Sequence, residues 1–373
     1  MPVSTRLVDL VQARVDAFLV ERSPLAASIA PELETLVDYS ADLLQGGKRF
    51  RALFCYWGWQ AVGAGRGDFD PMAETDTPAD LNAVVTVASA LEVFHAAALV
   101  HDDIMDNSDT RRGKPAAHRR FESLHRENAW AGSPLGFGQS AALLLGDLLL
   151  GWSDELLDEG LRELGDRASA IAARAEFMRM RTEVTLGQYL DILEEKSWIS
   201  HPETELLSRA HRVIVFKSAK YSVEAPLAIG ASLGGATPEQ VTALREFGLP
   251  LGIAYQLRDD LLGVFGDPEI TGKPAGDDLR EGKRTVLIAL ARTKLPGNVR
   301  RLLDELLGDD ELDGQQIRML QDAIRDSGAI DHVERIIDHN VAQARAALED
   351  APLTSAARDQ LLQLTDTVTR RIA

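Results

Sequence analysis

The sequence contains a single cysteine, Cys55, among its 373 residues. One cysteine excludes an intramolecular disulfide framework and any metal site built from several cysteines, and it suits a reducing cytosol. Residues 1–10 include no long apolar stretch, so we expect neither a signal peptide nor a membrane-spanning segment. The sequence therefore predicts a cytoplasmic protein without stable membrane insertion.

Positive charge is also scarce, because 40 Lys and Arg stand against 58 Asp and Glu, a net charge of −18. A negative balance of this size argues against nonspecific binding to nucleic acid or to anionic lipid. It does not exclude a phosphate ligand, but binding of such a ligand requires several positively charged side chains close together.

Strand-like alternation is rare, and helical periodicity dominates the sequence. The longest predicted helices are Leu81–Met105, Gln139–Leu164, Ala168–Leu193, Glu203–Leu233 and Pro238–Phe265. Within the first of them the side chains are apolar on almost every face, which is typical of a helix at the centre of a bundle. We predict an all-α protein with residues 1–373 as a single domain and the more charged residues 295–373 as peripheral helices.

Two aspartate clusters stand out, each where an apolar helical segment ends. Their sequences are His101-Asp102-Asp103-Ile104-Met105-Asp106 and Gln256-Leu257-Arg258-Asp259-Asp260. Carboxylates at this spacing repel one another, and at a helix C-terminus they also face the negative end of the helix dipole. A hard divalent cation relieves both effects, and Mg²⁺ typically takes one or two carboxylates, waters and substrate phosphates. The clusters predict metal-assisted chemistry on a phosphorylated substrate.

Two groups of basic residues stand out. One follows the first aspartate cluster, and the other lies at the start of an early predicted helix. Arg111 and Arg112 could bind phosphate oxygens in pairs, or they could merely neutralise the aspartates as a surface ion-pair network. Gly46 and Gly47 come before Lys48 and Arg51 at a predicted helix start. Free backbone N–H groups and two cations on one face could form an anion site there, although glycine-basic turns are also common as plain helix connectors.

Three further residues are ambiguous when each is considered separately. Lys217 is a charge within an apolar helix and needs a partner such as a phosphate or a carboxylate, unless it extends to the surface. Lys273 lies between glycines on a predicted loop, which favours a mobile lid but also fits an acid-rich turn with one compensating lysine. His95 lies near the face that carries Asp102, where a lone histidine is more often a satisfied core residue than a ligand.

Taken together, these residues resemble the trans-isoprenyl diphosphate synthase family, also called the polyprenyl synthetases. The resemblance covers roughly residues 40 to 290. It rests, in order, on Gly46-Gly47-Lys48-Arg49-Phe50-Arg51, Glu92, His95, His101-Asp102-Asp103, Asp106, Arg111-Arg112-Gly113, Pro115, Gly146-Asp147, Gly187-Gln188, Asp191, Lys217-Ser218, Gln256, Asp259-Asp260, Gly272-Lys273, Gly276-Asp277-Asp278-Leu279, Glu281-Gly282-Lys283 and Thr285.

The resemblance implies a single helical bundle around a deep central cavity, of the isoprenoid synthase type, usually as a homodimer. The implied activity is a Mg²⁺-dependent prenyltransferase that joins isopentenyl diphosphate to an allylic diphosphate head-to-tail and releases pyrophosphate, with three metal ions per active site. In this family the two aspartate clusters face each other across the mouth of the cavity.

The implied site residues are grouped by what they hold. Asp102, Asp106 and Asp259 are expected as direct metal ligands, with Asp103, Asp260 and Asp277 acting through waters. Arg111, Lys217, Gln256 and Lys273 are expected to hold the allylic diphosphate, and Lys48, Arg51, His95 and Arg112 are expected to hold isopentenyl diphosphate. Ser218 and Lys283 are expected to contribute to substrate binding. The family often has a third aspartate where this sequence has Gly263, and we expect water in that outer position.

Product length is predicted from side-chain size along the helix that ends at Asp102. The growing chain extends back from the metal site, and the residues one turn away, at about 5.4 Å, are Ala97 and Ala98. Two alanines leave room for the product, and Phe94 lies about one turn further on. We predict geranylgeranyl diphosphate as the main product, although these alanines could instead serve only close helix packing.

Three other functions are less consistent with the motifs. A farnesyl or a longer polyprenyl diphosphate synthase differs only in the depth of the cavity. A class I terpene cyclase shares the first aspartate cluster but needs no second diphosphate site, so Lys48 and Arg51 argue against it. A non-catalytic regulatory subunit tends to lose one aspartate cluster, and this sequence keeps most of both.

Overall fold

A computed structural model of the chain describes residues 3–63, 79–267, 276–309 and 311–369. Of these described residues, 83% are helical and almost none form strands. The prediction of an all-α fold is therefore confirmed.

Sixteen α-helices are numbered here in chain order over the described residues. They are α1 Val3–Ile29, α2 Glu34–Leu43, α3 Phe50–Val62, α4 Ala79–Met105, α5 Ala117–Glu127, α6 Pro134–Glu163, α7 Arg167–Ser197, α8 Glu203–Val213, α9 Ala225–Leu233, α10 Pro238–Phe265, α11 Asp277–Glu281, α12 Val286–Lys294, α13 Gly297–Leu306, α14 Gly314–Asp326, α15 Ala329–Ala347 and α16 Ser355–Thr369. Short 3₁₀ segments span Pro31–Leu33 and Trp198–Ser200, and a π-helix spans Ile214–Glu224 between α8 and α9.

Local sequence explains where several helices begin. The Ser133 side chain accepts a hydrogen bond from the Gly136 amide and Pro134 occupies the first turn, so α6 starts five residues earlier than its apolar periodicity predicts. Asp313 and Gln316 form a reciprocal capping box at the start of α14.

The described residues group into two compact units. Unit 1 comprises Met1–Ala175 and Pro226–Thr237, and unit 2 comprises Glu176–Ala225 and Pro238–Ala373. The prediction of one domain concerns how these units are joined, and it stays a prediction.

The core of unit 1 forms where α4 packs along α6. Gly160 of α6 leaves space for this packing, since a Cβ there would come within 3.0 Å of Val87 and of the Ala83 carbonyl oxygen. The Ser153 hydroxyl donates a hydrogen bond of 2.9 Å to the Ala90 carbonyl oxygen and satisfies a buried polar group in the same seam. Because α4 is surrounded by protein, its nearly continuous apolar sequence is that of a core helix.

The core of unit 2 is built around α10, which packs on the π-helix and on α15. Gly252 permits close contact with Ala219, because a Cβ at that position would lie within 3.0 Å of the Ala219 backbone. Leu257, Leu261 and Val264 of α10 share one apolar cluster with side chains from α13, α14 and α15, namely Leu303, Ile317, Leu320, Ile324, Val333 and Ile337. The segment 295–373, expected as a peripheral layer, thus supplies part of the core that supports α10.

Two helices are long and apolar enough to cross a membrane by length and composition alone. In the segment Asp80–Met105 of α4, 83% of the apolar window is buried inside the protein. In α6 only 33% of the corresponding window is buried. The apolar character of α4 is explained by the core, whereas α6 presents an apolar surface.

Candidate active site

The first aspartate cluster lies at the C-terminal end of α4 in unit 1. The helix ends at Met105, and Asn107 adopts a left-handed φ of 52° that turns the chain away. Asp102 and Asp106 are partly exposed, whereas Asp103 is only 2% exposed. The cluster therefore presents two accessible carboxylates and one buried carboxylate.

The buried carboxylate is paired with Arg111. Arg111 Nε donates to Asp103 Oδ1 over 2.9 Å, Nη2 also bonds that oxygen, and Nη2 lies 3.6 Å from Asp102 Oδ2. Arg111 is thus held against the aspartates while part of its side chain stays accessible. Arg111 therefore neutralises the cluster, and its binding of an anion stays a prediction.

A two-residue hairpin positions both arginines of this region. Thr110–Arg111 pairs antiparallel with Lys114–Pro115, and the turn residues Arg112 and Gly113 have φ values of 53° and 73°. Two positive φ angles are characteristic of a type I′ turn, whose twist matches that of the strands. This short ribbon, which periodicity does not predict, aims Arg111 and Arg112 in different directions.

The segment from Gly46 to Arg51 is fixed by a buried ion pair. Arg49 has a left-handed φ of 49°, and its Nη1 lies 3.4 Å from Glu92 Oε2 on α4. Glu92 Oε1 also accepts a hydrogen bond of 3.1 Å from the Ala52 amide at the start of α3. Because Glu92 is 4% exposed, it serves as an internal attachment point for the whole turn.

The residues predicted to hold isopentenyl diphosphate come together in unit 1. Arg112 Nη1 donates a hydrogen bond of 3.3 Å to the Gln45 carbonyl oxygen, and the Arg112 guanidinium lies directly against Gly47. Lys48 is exposed, and its Nζ lies 5.9 Å from the centre of the Phe50 ring. Burial lowers the pKa of His95, and the nearby guanidinium groups of Arg51, Arg112, Arg111 and Arg49 lower it further. His95 is therefore a neutral donor or acceptor within a concentrated positive patch.

The second aspartate cluster lies on α10 in unit 2. Asp259 is exposed, whereas Asp260 is 5% exposed and accepts a 2.7 Å hydrogen bond from Gln256 Nε2. Burial raises the pKa of Asp260 to about 7, with Asp259 and Asp191 adding to the effect while Gln256 and Lys217 oppose it. Asp260 Oδ2 has no hydrogen-bond partner among the described residues. A cation near this carboxyl group would stabilise its charged form.

Two lysines of unit 2 converge on one carboxylate. Lys217 Nζ lies 2.5 Å from Asp191 Oδ2, and Lys283 Nζ lies 3.3 Å from the same oxygen and 3.0 Å from Glu195 Oε1. Lys217 belongs to the π-helix, a conformation that is frequent at functional sites. Gly187 lets α7 approach this segment closely, since a Cβ there would lie within 3.0 Å of the Lys217 amide nitrogen.

The residues predicted to set product length all lie on α4. Phe94 is 4% exposed and Ala97 is fully buried, whereas Ala98 keeps some accessible surface. Ala98 and Asp102 are four residues apart and therefore share one face of the helix. Of the two alanines, Ala98 is the one with a partly exposed side chain, and its role in product length stays a prediction.

Of the predicted residues Ser218 and Lys273, the structure describes the first. Ser218 is partly buried beside Lys217 in the π-helix. Lys273 lies outside the described residues, so its predicted role stays a prediction. Over the ranges that the structure describes, no group of three or more His, Cys, Asp and Glu side chains is arranged as a preformed metal site.

Sequence reasoning assigned no role to Glu92, Asp191 or Glu195. A signal for Glu92 was available, because a lone carboxylate inside the apolar segment Ala83–Leu99 needs a partner for the same reason that Lys217 does. Asp191 and Glu195 are four residues apart on α7, a spacing that puts two carboxylates on one face.

Comparison with known proteins decides the family. The family model described as polyprenyl synthetase matches residues 30–324, which is well over half of the chain. The chain belongs to the polyprenyl synthetase family. The resemblance inferred from the motifs is confirmed, and so is the activity class, a prenyltransferase.

Individual relatives agree with this assignment. The chain is 32% identical over 281 residues to a geranylfarnesyl diphosphate synthase of Aeropyrum pernix, covering 75% of this chain and 80% of the relative. It is 28% identical to a geranylgeranyl diphosphate synthase of Methanosarcina mazei, covering 96% of both chains. A crystal structure of geranylgeranyl pyrophosphate synthase from Corynebacterium glutamicum, complexed with isoprenyl diphosphate and magnesium, superposes with a TM-score of 0.90 at 37% identity over the full length of both chains.

Proposed function

We propose that this polyprenyl synthetase condenses isopentenyl diphosphate with an allylic diphosphate, head-to-tail, and that its main product is geranylgeranyl diphosphate. The observation that carries the proposal is the gathering of Lys48, Arg51, His95, Arg111 and Arg112 next to the exposed carboxylates of α4. In a protein of net charge −18, such a patch is a specific anion site. Cations and carboxylates side by side suit a diphosphate that binds together with a divalent metal.

The group around His95 is proposed to hold isopentenyl diphosphate. Arg112 and Arg51 offer fork-shaped donors for phosphate oxygens, and Lys48 adds an exposed ammonium group. His95 stays neutral among the guanidinium groups, so it can donate a hydrogen bond without adding a further repelling charge. The Arg49–Glu92 pair keeps this arrangement in place before substrate arrives.

The aspartates are proposed to bind Mg²⁺ together with the allylic diphosphate. Asp102, Asp106 and Asp259 carry the accessible carboxylates suited to direct contact, while Asp103, Asp260 and Asp277 act through waters. The buried Oδ2 of Asp260, which lacks a described partner, fits this proposal because a cation or its water shell would satisfy it. We propose Mg²⁺ because the relative from Corynebacterium glutamicum is complexed with magnesium, and we propose three ions per site.

The chain's own cations are proposed to drive ionisation of the allylic substrate. When bound, Mg²⁺ neutralises charge that develops on the departing pyrophosphate. Arg111, Lys217 and Lys273 stabilise the same charge. Because Asp103 and Asp191 hold Arg111 and Lys217 in place, these two cations act more strongly on the transition state than on the ground state. Gln256, Ser218 and Lys283 orient the diphosphate through hydrogen bonds. Asp191 holds Lys217 and Lys283 in position, so that neither lysine must be ordered when substrate binds.

The carbon chemistry then depends on excluding water. The isopentenyl double bond attacks the allylic cation, a C–C bond forms, and the released pyrophosphate accepts the proton that restores a double bond. Ala98, on the Asp102 face of α4, leaves space for a growing chain, and Phe94 is the next large side chain along the helix. Apolar side chains around the cation prevent its capture by water.

The exposed apolar face of α6 is proposed to bind a second copy of the chain. Leu143 and Leu144 are 51% and 64% exposed. Exposed apolar side chains of this kind mark an interaction site, and a two-fold pair would cover them symmetrically. Sedimentation should give a dimer for the native chain and a monomer for Leu144→Arg. We place this dimer in the cytoplasm.

Product analysis tests the proposed function. Purified protein is incubated with Mg²⁺, labelled isopentenyl diphosphate and either geranyl or farnesyl diphosphate, and the products are identified by mass spectrometry. Elongation to the C20 diphosphate is expected, with no turnover in EDTA and a large loss of turnover in Asp102→Asn. Hydrocarbon without elongation would indicate a terpene cyclase, and activity only with an added synthase would indicate a regulatory subunit. A shorter or a longer diphosphate would revise the product length alone.

A further inference from the structure

One carboxylate outside α10 lies on the metal-binding face of that helix. Gly263 follows Asp259 by four residues, so both share one face of α10. An ideal Cβ built on Gly263 would meet Oδ2, Cγ and Oδ1 of Asp278, all within 3.0 Å. The Asp278 carboxylate therefore fills the volume in which a side chain at position 263 would begin. The sequence alone suggested water at this place, and the structure puts a charged group there.

The position of Asp278 is fixed by its own helix. Gly276, with a φ of 73°, precedes α11, and Leu279 is fully buried. The Gly308 amide donates a 2.9 Å hydrogen bond to the Leu279 carbonyl oxygen, and the Lys283 amide donates a 3.0 Å hydrogen bond to the Asp278 carbonyl oxygen. The carboxylate is thus presented to α10 by a tightly held turn.

We infer that Asp278 is a carboxylate of the metal site, supplied from α11 to the face of α10 that carries Asp259. Two observations support this role. Gly263 offers no side chain, and its open space is taken by the carboxylate of Asp278 with no atom between them. In addition, the Asp260 residue next to Asp259 is 5% exposed, and its Oδ2 has no partner among the described residues. A bound cation or its water shell would satisfy this oxygen.

This inference rests on the proposed function, since it assigns Asp278 to the metal that binds with the diphosphate. Asp278 is expected to act through water or directly on the ion, and outer carboxylates of that kind typically contribute about 10- to 100-fold to metal affinity. A side chain at position 263 would have to displace the Asp278 carboxylate from this volume.

A reciprocal exchange tests this. The native chain, Asp278→Ala, Gly263→Asp and the double variant are compared by calorimetric titration with inorganic pyrophosphate at a series of Mg²⁺ concentrations. Asp278→Ala should weaken Mg²⁺-dependent pyrophosphate binding at least about tenfold. In the double variant the new aspartate should enter the vacated volume and restore affinity to within a few-fold of the native value. Gly263→Asp alone should unfold at a lower temperature than the double variant, because two carboxylates then compete for one space.

Two further variants guard against a folding artefact. Asp278→Asn keeps the shape of the side chain and removes its charge, so it should unfold like the native chain and still lose affinity. Asp322→Asn removes one charge from an exposed position in the same unit and should bind as the native chain does. Native affinity in Asp278→Asn, or a double variant no better than Asp278→Ala, would overturn the inference. Because binding is read without turnover, a chain that shows this pattern but makes no prenyl product would refute the proposed function and leave the role of Asp278 standing.

Discussion

The imidazole of His101 on α4 lies directly on the backbone of Gly146 on α6. A Cβ at position 146 would come within 3.0 Å of three atoms of the ring. His101 Nε2 lies 3.3 Å from the Leu143 carbonyl oxygen and 3.5 Å from Asp147 Oδ1. Since His101 immediately precedes Asp102, this contact fixes the end of α4 from which the carboxylates that we propose as metal ligands project.

Gly146→Ala should therefore lower activity more than stability. The added methyl group must push His101 aside, and overpacking of this kind costs about 1–3 kcal/mol of the free energy of unfolding. A shift of the adjacent carboxylates of even 1 Å can reduce turnover by roughly 100-fold. Steady-state kinetics and urea unfolding would measure both effects. Gly165→Ala is the matched control, since a Cβ in that loop meets nothing within 4 Å, and normal turnover in Gly146→Ala would show that His101 does not position Asp102.

Glu92 supports the turn that carries Lys48 and Arg51. Its negative charge should matter both to folding and to substrate binding. In Glu92→Gln the Arg49 guanidinium keeps its buried position but loses its counter-charge, at a cost of about 3 kcal/mol. The turn that carries Lys48 and Arg51 should loosen, so KM for isopentenyl diphosphate should rise roughly tenfold while KM for the allylic substrate changes little.

Urea unfolding and separate KM values for the two substrates would test this prediction. Glu155→Gln is the control, because Glu155 pairs with Arg22 but is 51% exposed and should contribute under about 1 kcal/mol. Equal rises in both KM values would contradict a specific role in positioning the turn.

The sequence predicts most of α4 and α10, because both are long apolar segments without strand-like alternation and end at residues with clear signals. Leu81–Met105 was expected and Ala79–Met105 is found. Glu203–Leu233 was expected as one helix, but its central residues Ile214–Glu224 form a π-helix. No periodic pattern distinguishes a π segment from an α-helix at this length. The π-helix is recognised only in the structure, where Gly187 lets α7 pack against the Lys217 backbone.

The candidate site was predictable as a set of residue types but not as a set of contacts. Charge and spacing identify Asp102, Asp259 and Lys217 as candidate site residues. The partners Asp191 and Glu92 escaped assignment because they are 26 and 43 residues away from the cations that they hold. Such pairs depend on tertiary packing, which helical periodicity does not encode.

His95 should make the protein less stable in acid. In the folded chain the pKa of His95 lies below its usual value, whereas in the unfolded chain it returns to about 6.5. Below that pH the unfolded state binds a proton that the folded state does not, so the free energy of unfolding should fall as pH drops, by up to about 1.4 kcal/mol per pH unit for this one group.

Urea unfolding of the native chain and of His95→Gln between pH 7.5 and pH 5 would measure this term. The variant lacks the titrating group, so its stability should depend less steeply on pH, and the two slopes should converge above pH 7. His339→Gln, which alters a histidine of unit 2 with an exposed side chain, should keep the native slope. Identical slopes for the native chain and His95→Gln would mean that His95 is already charged in the folded protein.

Ala98 is the residue at which product length should be most sensitive to size. It keeps accessible surface on the face of α4 that carries Asp102, whereas Ala97 is fully buried, so a larger side chain at position 98 is expected to extend along that face rather than into the core. Ala98→Phe should therefore place a ring about 5–6 Å from the end of the diphosphate site and stop elongation at the farnesyl stage. Mass analysis of products from geranyl and isopentenyl diphosphates would show the C15 diphosphate replacing the C20 diphosphate. Ala168→Phe adds the same ring at an exposed position of α7 and should leave the product unchanged, while an unaltered C20 product from Ala98→Phe would place the floor of the cavity elsewhere.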